Sequence, residues 1–316
     1  MEVHSLQSVL SKLGKWLTDS EKPLLVVCGA TGSGKSDLAV DLAQQFGGEV
    51  INADSRQIYQ EIYIGNALTT REQQRGVPHH LLSYSPLQQT LSVSEYKGLA
   101  EGMIDELQGR RSLPILCGGS VMWIDAVVDN YVIPQVPPNS ELRDRLGLLS
   151  IDELLGQLEQ RDPASHEQLK NCSNRRYIIR ALEIFEQTGK PKSELAKRGK
   201  RKYEVFKVAP HWERQQLYDR INRRAEEQVR AGLVEEVQGI IDRHAGADPH
   251  QLLTLNWPSL SSIGCKEVIP FLLGQQPNDA MLEHVKQANR NYAKRQLSWL
   301  RRDPEIHWVA MPPASA

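Results

Sequence analysis

In the first part of the chain, short unbroken apolar runs alternate with longer stretches of helical periodicity. The runs Leu24–Cys28, Val50–Ala53, His80–Leu82 and Leu113–Cys117 predict strands buried on both faces, because a parallel strand covered by helices has no polar side. Helical patterns follow the first run (Asp37–Phe46), cover Ser94–Leu107 and resume after Gly119. That rhythm predicts a parallel, doubly wound α/β sheet. Near the start, Leu6, Val9, Leu10, Leu13 and Leu17 share one helical face and predict a short amphipathic leader helix.

The rhythm breaks at Ile133–Pro138. Four helical stretches follow, Ser140–Leu149, Ile151–Gln160, Pro163–Lys170 and Arg175–Thr188, with no strand among them. Gly189-Lys190-Pro191 stops the last. An inserted all-helical subdomain at 134–200 is therefore expected within a core made of 1–133 and 201–316. Tyr203–Val208 reads as a strand returning to the sheet. Helices are expected at Arg214–Ala231, Val234–His244, Lys266–Leu273 and Asp279–Arg301, and the tail Met311–Ala316 is expected to fray.

The chemistry begins where the first strand ends. Residues 29–36 read Gly29, Ala30, Thr31, Gly32, Ser33, Gly34, Lys35 and Ser36, a phosphate-binding loop between strand and helix. Backbone N–H groups and the helix N-terminus favour an anion there. Lys35 would pair with a diphosphate oxygen, and the Ser36 hydroxyl would reach Mg2+. The fold class is thus an α/β P-loop-type parallel sheet flanked by helices, with the helical insert. The second strand ends at Asp54-Ser55-Arg56-Gln57, and carboxyl ends of parallel strands face the ligand crevice. Asp54 is placed beside the loop as a metal ligand, helix cap or base. Gly118-Gly119-Ser120 ends the fourth strand at the same crevice. His79 and His80 are adjacent on an extended chain and point to opposite faces, so packing roles are expected for them rather than a metal site.

Composition adds limits. The chain of 316 residues is 40% hydrophobic and 24% charged, as in ordinary globular proteins. No stretch approaches a membrane span, and Met1–Lys22 lacks the apolar core of a secretory signal. The four cysteines have no metal-ligand spacing; Cys28 and Cys117 are expected as buried, inert thiols in a reducing, cytoplasmic setting. The net charge of −1 argues against a nucleic-acid partner, but its distribution does not. Residues 1–174 carry 14 Lys and Arg against 22 Asp and Glu, whereas residues 175–302 carry 24 against 15. A chain split this way can present one basic face.

Taken in order, these marks resemble the tRNA dimethylallyltransferase (tRNA isopentenyltransferase) family. The resemblance runs through Gly29–Ser36, Asp54–Tyr59, Val77–Leu82, Gly118–Ser120, Arg176–Glu183 with Thr188–Pro191, Tyr218–Arg224, Ile263–Glu267 and Tyr292–Arg302. It implies transfer of a dimethylallyl group from its diphosphate to N6 of the adenosine 3′ of the anticodon, in tRNAs reading codons that begin with U. In that scheme residues 29–36 hold the diphosphate. Lys35, Arg220 and Mg2+ at Ser36 neutralise the leaving group, and Asp54 accepts from N6. Ser55, Arg56, Gln57, Ser120, Arg176, Arg180, Arg224, Lys266, Lys294 and Arg295 meet the tRNA anticodon stem-loop. A monomer is expected. The chain departs from the family pattern at Leu68, at Val121-Met122-Trp123 and at Cys265, near the expected channel. Three other readings of the residues stay open: a P-loop kinase or ATPase, which the loop fits equally well, a prenyltransferase acting on free adenine nucleotides, and an RNA-binding module without catalysis.

Overall fold

Seven strands pair in parallel to form one sheet in the computed structural model, which describes residues 2–244 and 257–312. The strands are β1 (Val3–His4), β2 (Pro23–Cys28), β3 (Gly48–Asn52), β4 (His79–His80), β5 (Leu113–Gly118), β8 (Glu204–His211) and β9 (Ile306–Ala310); β6 (Tyr131–Val132) and β7 (Lys197–Arg198) form a separate antiparallel ribbon. Across the sheet the order is β1-β9-β8-β2-β5-β3-β4. β2 and β5 are central and almost wholly buried, which is why both are continuous apolar runs.

The helices are α1 (Leu6–Asp19), α2 (Lys35–Phe46), α3 (Arg71–Gln74), α4 (Val93–Gly109), α5 (Val121–Val128), α6 (Ser140–Gly147), α7 (Ile151–Arg161), α8 (Pro163–Leu169), α9 (Arg175–Thr188), α10 (Lys192–Leu195), α11 (Arg214–Arg230), α12 (Leu233–His244), α13 (Cys265–Leu272) and α14 (Asn278–Leu300). The leader helix α1 is part of the core. Its Val9 and Leu13 are buried with Leu25, Val27 and Leu42, and a fully buried leucine contributes about 1.5–3 kcal/mol.

Several expectations need correction. The third strand lies at His79–His80 rather than His80–Leu82, because Leu81 takes a left-handed backbone, φ 59°, that no strand continues. The returning strand runs to His211, not Val208. Its Lys207 is buried, and its ammonium group is held by Asp303 at 2.7 Å and Glu305 at 2.9 Å. Those acids lead into β9, a strand not anticipated, which in turn carries the edge strand β1. In the tail, the Met311 N–H donates to the His211 carbonyl at 3.2 Å and Met311 packs on the core; residues 313–316 lie outside the described residues.

The chain divides into two compact units, one of residues 1–124 and 202–316, the other Asp125–Arg201. The second is not all-helical, since it contains the β6–β7 ribbon. Its core joins Leu142, Leu154, Leu158, Ile178 and Leu182 from α6, α7 and α9. Glu183, fully buried, anchors it by accepting from Arg143 at 2.7 and 2.9 Å and from the Asn139 N–H at 2.8 Å, with Arg180 as a further partner. Burial would raise the Glu183 carboxyl, but hydrogen bonds from Arg143, Asn139 and Arg180 outweigh it and hold the group below the usual carboxylate range. A depressed folded pKa means that this stabilisation is present above the ordinary carboxylate range and is lost as pH falls through the folded value. Glu183→Ala should therefore destabilise this unit by on the order of 3 kcal/mol at neutral pH, read as a lower urea midpoint for the full chain's first transition. An unchanged midpoint would remove Glu183 from this role.

Candidate active site

At the end of β2 the chain turns through Gly29–Gly34 into α2. Gly32 and Gly34 have φ of +76° and +82°, the left-handed region that glycine enters without strain. α2 begins at Lys35 with Gly34 as its N-cap, so no side chain caps its first turn. The free N–H groups of that turn are what an anion would engage. Lys35 is 8% exposed, and no carboxylate pairs with it among the described residues.

Helix α11 closes over the loop. The Arg220 Nε donates to the Gly32 carbonyl at 3.1 Å, and its guanidinium lies 4.4 Å from the centre of the Trp212 ring. Trp212 in turn donates its indole N–H to the Ser33 carbonyl at 2.8 Å. One turn on, Arg224 hydrogen-bonds the Thr31 hydroxyl and, at 3.4 Å, Oδ1 of Asn289 on α14. Lys35, Ser36, Arg220 and Arg224 thus face one cavity of about 340 Å³, whose walls also include Gln57, Ala67, Thr69, Gln73, Arg223 and Glu227.

The second half of the site is built on the end of β3. Asn52 Oδ1 accepts the Asp54 N–H at 3.0 Å, and Asp54 Oδ1 accepts the Arg56 N–H at 3.0 Å. This fixes the carboxylate at the strand end. Ser120 Oγ accepts the Ser55 N–H at 2.8 Å and hydrogen-bonds Ser55 Oγ at 3.0 Å. Gly118 permits this approach, because a Cβ there would meet the Ala53 carbonyl at 2.1 Å. Tyr292 lies on α14; burial, and then the charge of Asp54, push the pKa of its phenol up.

Arg224 packs against the phosphate loop through Thr31. Burial lowers the pKa of its guanidinium, the Asp54 carboxylate opposes that shift, and Arg220 reinforces it. The sequence grouped Arg224 with tRNA contacts; the structure seats it on the phosphate loop.

The other expected residues are distributed as follows. Gln57 Nε2 donates to the carbonyls of Ala67 at 2.8 Å and Asn66 at 3.2 Å, so it holds the loop after the Asp54 motif as well as lining the cavity. The Arg56 guanidinium donates to the Pro258 carbonyl at 2.8 Å. Lys266, Lys294 and Arg295 are exposed, as is Trp299 at 56%, with the Arg302 guanidinium 5.3 Å from its ring centre. Arg176 is exposed on α9, whereas Arg180, in the same unit, is committed to Glu183 and the Val136 carbonyl. His79 bonds the Val77 carbonyl at 2.9 Å and His80 bonds Glu49 at 2.8 Å. Burial pushes the thiols of Cys28, Cys117 and Cys265 up to about 12, well outside the reactive range.

Three supports were not legible in the sequence. Glu236 of α12 accepts the N–H groups of Tyr63, Ile64 and Gly65 at 2.7, 2.7 and 2.8 Å, securing the loop that continues to Ala67 and Thr69. Asn289 and Gln296 of α14 reach Arg224 and Thr31. Each contact joins residues more than sixty positions apart, and no local pattern announces it.

For a divalent cation, the cavity offers hard oxygen donors at Ser36, Asp37 and Glu227. No cluster of three or more His, Cys, Asp or Glu residues suited to a metal occurs among the described residues. That set suits Mg2+, which keeps several waters and binds through substrate phosphates plus one or two protein oxygens.

Comparison with known proteins matches residues 57–303 to the family described as IPP transferase. A tRNA dimethylallyltransferase of Anoxybacillus flavithermus is 36% identical over 290 residues, covering 91% of this chain and 90% of that protein. The crystal structure of the full-length tRNA isopentenylpyrophosphate transferase of Bacillus halodurans superposes with a TM-score of 0.68 at 32% identity, over 92% of this chain and 90% of that one. A eukaryotic dimethylallyltransferase captured acting on tRNA superposes with a TM-score of 0.77 at 25% identity, over 92% of this chain and 74% of that one.

Proposed function

The chain belongs to the IPP transferase family, and from that premise we propose that it is a tRNA dimethylallyltransferase, alkylating N6 of the adenosine 3′ of the anticodon in tRNAs reading codons that begin with U. The observation that carries this reading is that Lys35, Arg220 and Arg224 line one cavity whose wall also includes Gln57, three residues after Asp54 on the loop that leaves β3. The strand end that bears Asp54 thus borders the leaving-group site.

Dimethylallyl diphosphate sits with its diphosphate on the loop Gly29–Ser36, against Lys35, Arg220 and Arg224. N6 of the target adenosine attacks the allylic carbon as the carbon–oxygen bond to diphosphate breaks. Asp54 takes the proton that N6 loses, and the products are N6-dimethylallyladenosine and diphosphate. An aniline-like amine is a weak nucleophile, so a positioned base accelerates the step. The cations act on charge that grows on the leaving oxygen, which is preorganised electrostatic stabilisation. Ser36 would hold Mg2+, which when bound would further neutralise the diphosphate. Ser55, Ser120 and Tyr292 surround the base end of the site, and the target base enters after leaving its stack.

Lys266, Lys294 and Arg295 supply the phosphate contacts on the first unit, and Arg176 one on the second. No helix among the described residues is long and apolar enough to cross a membrane, and a monomer acting in the cytoplasm suits this role. The joint variant Lys294→Ala with Arg295→Ala should lessen the salt dependence of tRNA binding, the slope of log K against log salt falling by about 1.4 if both contacts are on single-stranded phosphates. An unchanged slope would make these side chains solvated surface. An adenosine acceptor in tRNA should also be used far better than free AMP; equal use of AMP would favour an enzyme of free nucleotides.

A further inference from the structure

Gln296 of α14 is 3% exposed, and both ends of its amide are engaged. Oε1 accepts the Thr31 N–H at 2.8 Å, and Nε2 donates to the Gly119 carbonyl at 2.9 Å. Thr31 lies in the phosphate loop. Gly119 precedes Ser120, whose hydroxyl holds the Ser55 N–H beside Asp54. A single buried amide therefore spans the two halves of the site. Gly119 has no space for a side chain on that side, since a Cβ would stand 2.2 Å from Gln296 Nε2.

We propose that Gln296 is a positioning residue that sets the separation of the phosphate loop from the Gly118–Ser120 turn, and with it the distance between allylic carbon and acceptor nitrogen. This rests on the reading above. The Gln296 amide offers an acceptor to one partner and a donor to the other. A carboxylate would keep the Thr31 bond and set oxygen against the Gly119 carbonyl, and methionine would fill the volume with neither bond. Reacting atoms must meet at about 3–3.5 Å, and a misplacement of about 1 Å lowers the rate by about 10²-fold.

The test is the division of the defect between binding and turnover. In Gln296→Met, kcat should fall by about 30-fold, while KM for dimethylallyl diphosphate and the Kd values for an anticodon stem-loop and for inorganic diphosphate with Mg2+ stay within about threefold. Rates are taken per site competent to bind RNA, so a misfolded fraction does not enter. Gly119→Ala should reproduce the pattern from the opposite partner, and Gln296→Glu serves if Gln296→Met folds poorly. A kcat within about threefold of wild type, or a loss that lies wholly in Kd for diphosphate, would overturn the assignment. Active wild type with unaffected variants refutes the role of Gln296 alone. Wild type that transfers no prenyl group refutes the functional reading and this role with it.

Discussion

Asp54→Ala is expected to lower kcat for prenyl transfer by a factor on the order of 10²–10⁴, the usual contribution of a positioned general base. The carboxylate is held by the Asn52 side chain at its backbone and by the Arg56 N–H at its Oδ1, so the substitution removes the base and one local hydrogen bond, not the strand end. Binding of the tRNA stem-loop and of diphosphate should stay near wild type. Rapid-quench measurement of one turnover separates the chemical step from product release. A single-turnover rate equal to wild type would exclude Asp54 as the base.

Lys35→Met is expected to reduce kcat/KM for the prenyl diphosphate by about 10²–10³-fold, the range seen when one preorganised group is removed from developing negative charge. The methionine keeps most of the buried stem while deleting the ammonium group. Lys35 is buried at the uncapped start of α2, where screening is weak and a charge acts strongly on a bound anion. KM for tRNA should change little. Normal kinetics in the donor would mean that the loop holds something other than the leaving group.

The parts of this molecule that follow from neighbouring residues were legible in the sequence. The strand Leu24–Cys28, the glycine turn and the helix after it share one contiguous segment, and their chemistry is local. The helix Arg175–Thr188 was also readable from its periodicity and its Gly-Lys-Pro stop. What escaped depends on distant partners. The returning strand reads only to Val208, because Pro210 interrupts the pattern, yet the chain stays paired with β9 through His211. β9 is five residues long and β1 only two, so neither carries enough periodicity to be seen. Arg180 is an RNA contact in the family scheme, yet it is committed to its neighbour Glu183, which Arg143 and Asn139 hold buried from forty or more positions away, and to the Val136 carbonyl. In the site, the spacing of Arg220 and Arg224 showed a shared helix face but not that this face closes on Thr31 and Gly32. Gln296 gave no signal, because its two partners stand 265 and 177 positions away.

The central claim is that one cationic loop and one carboxylate act on opposite ends of a single alkyl transfer. Mass spectrometry of tRNA nucleosides, after incubation of the protein with unmodified tRNA, dimethylallyl diphosphate and Mg2+, tests it most directly. The account predicts a dimethylallyl mass gain on the one adenosine 3′ of the anticodon, lost when either Lys35 or Asp54 is replaced. A tRNA left unmodified by wild-type protein, or modified equally by the Asp54→Ala and Lys35→Met variants, would contradict it.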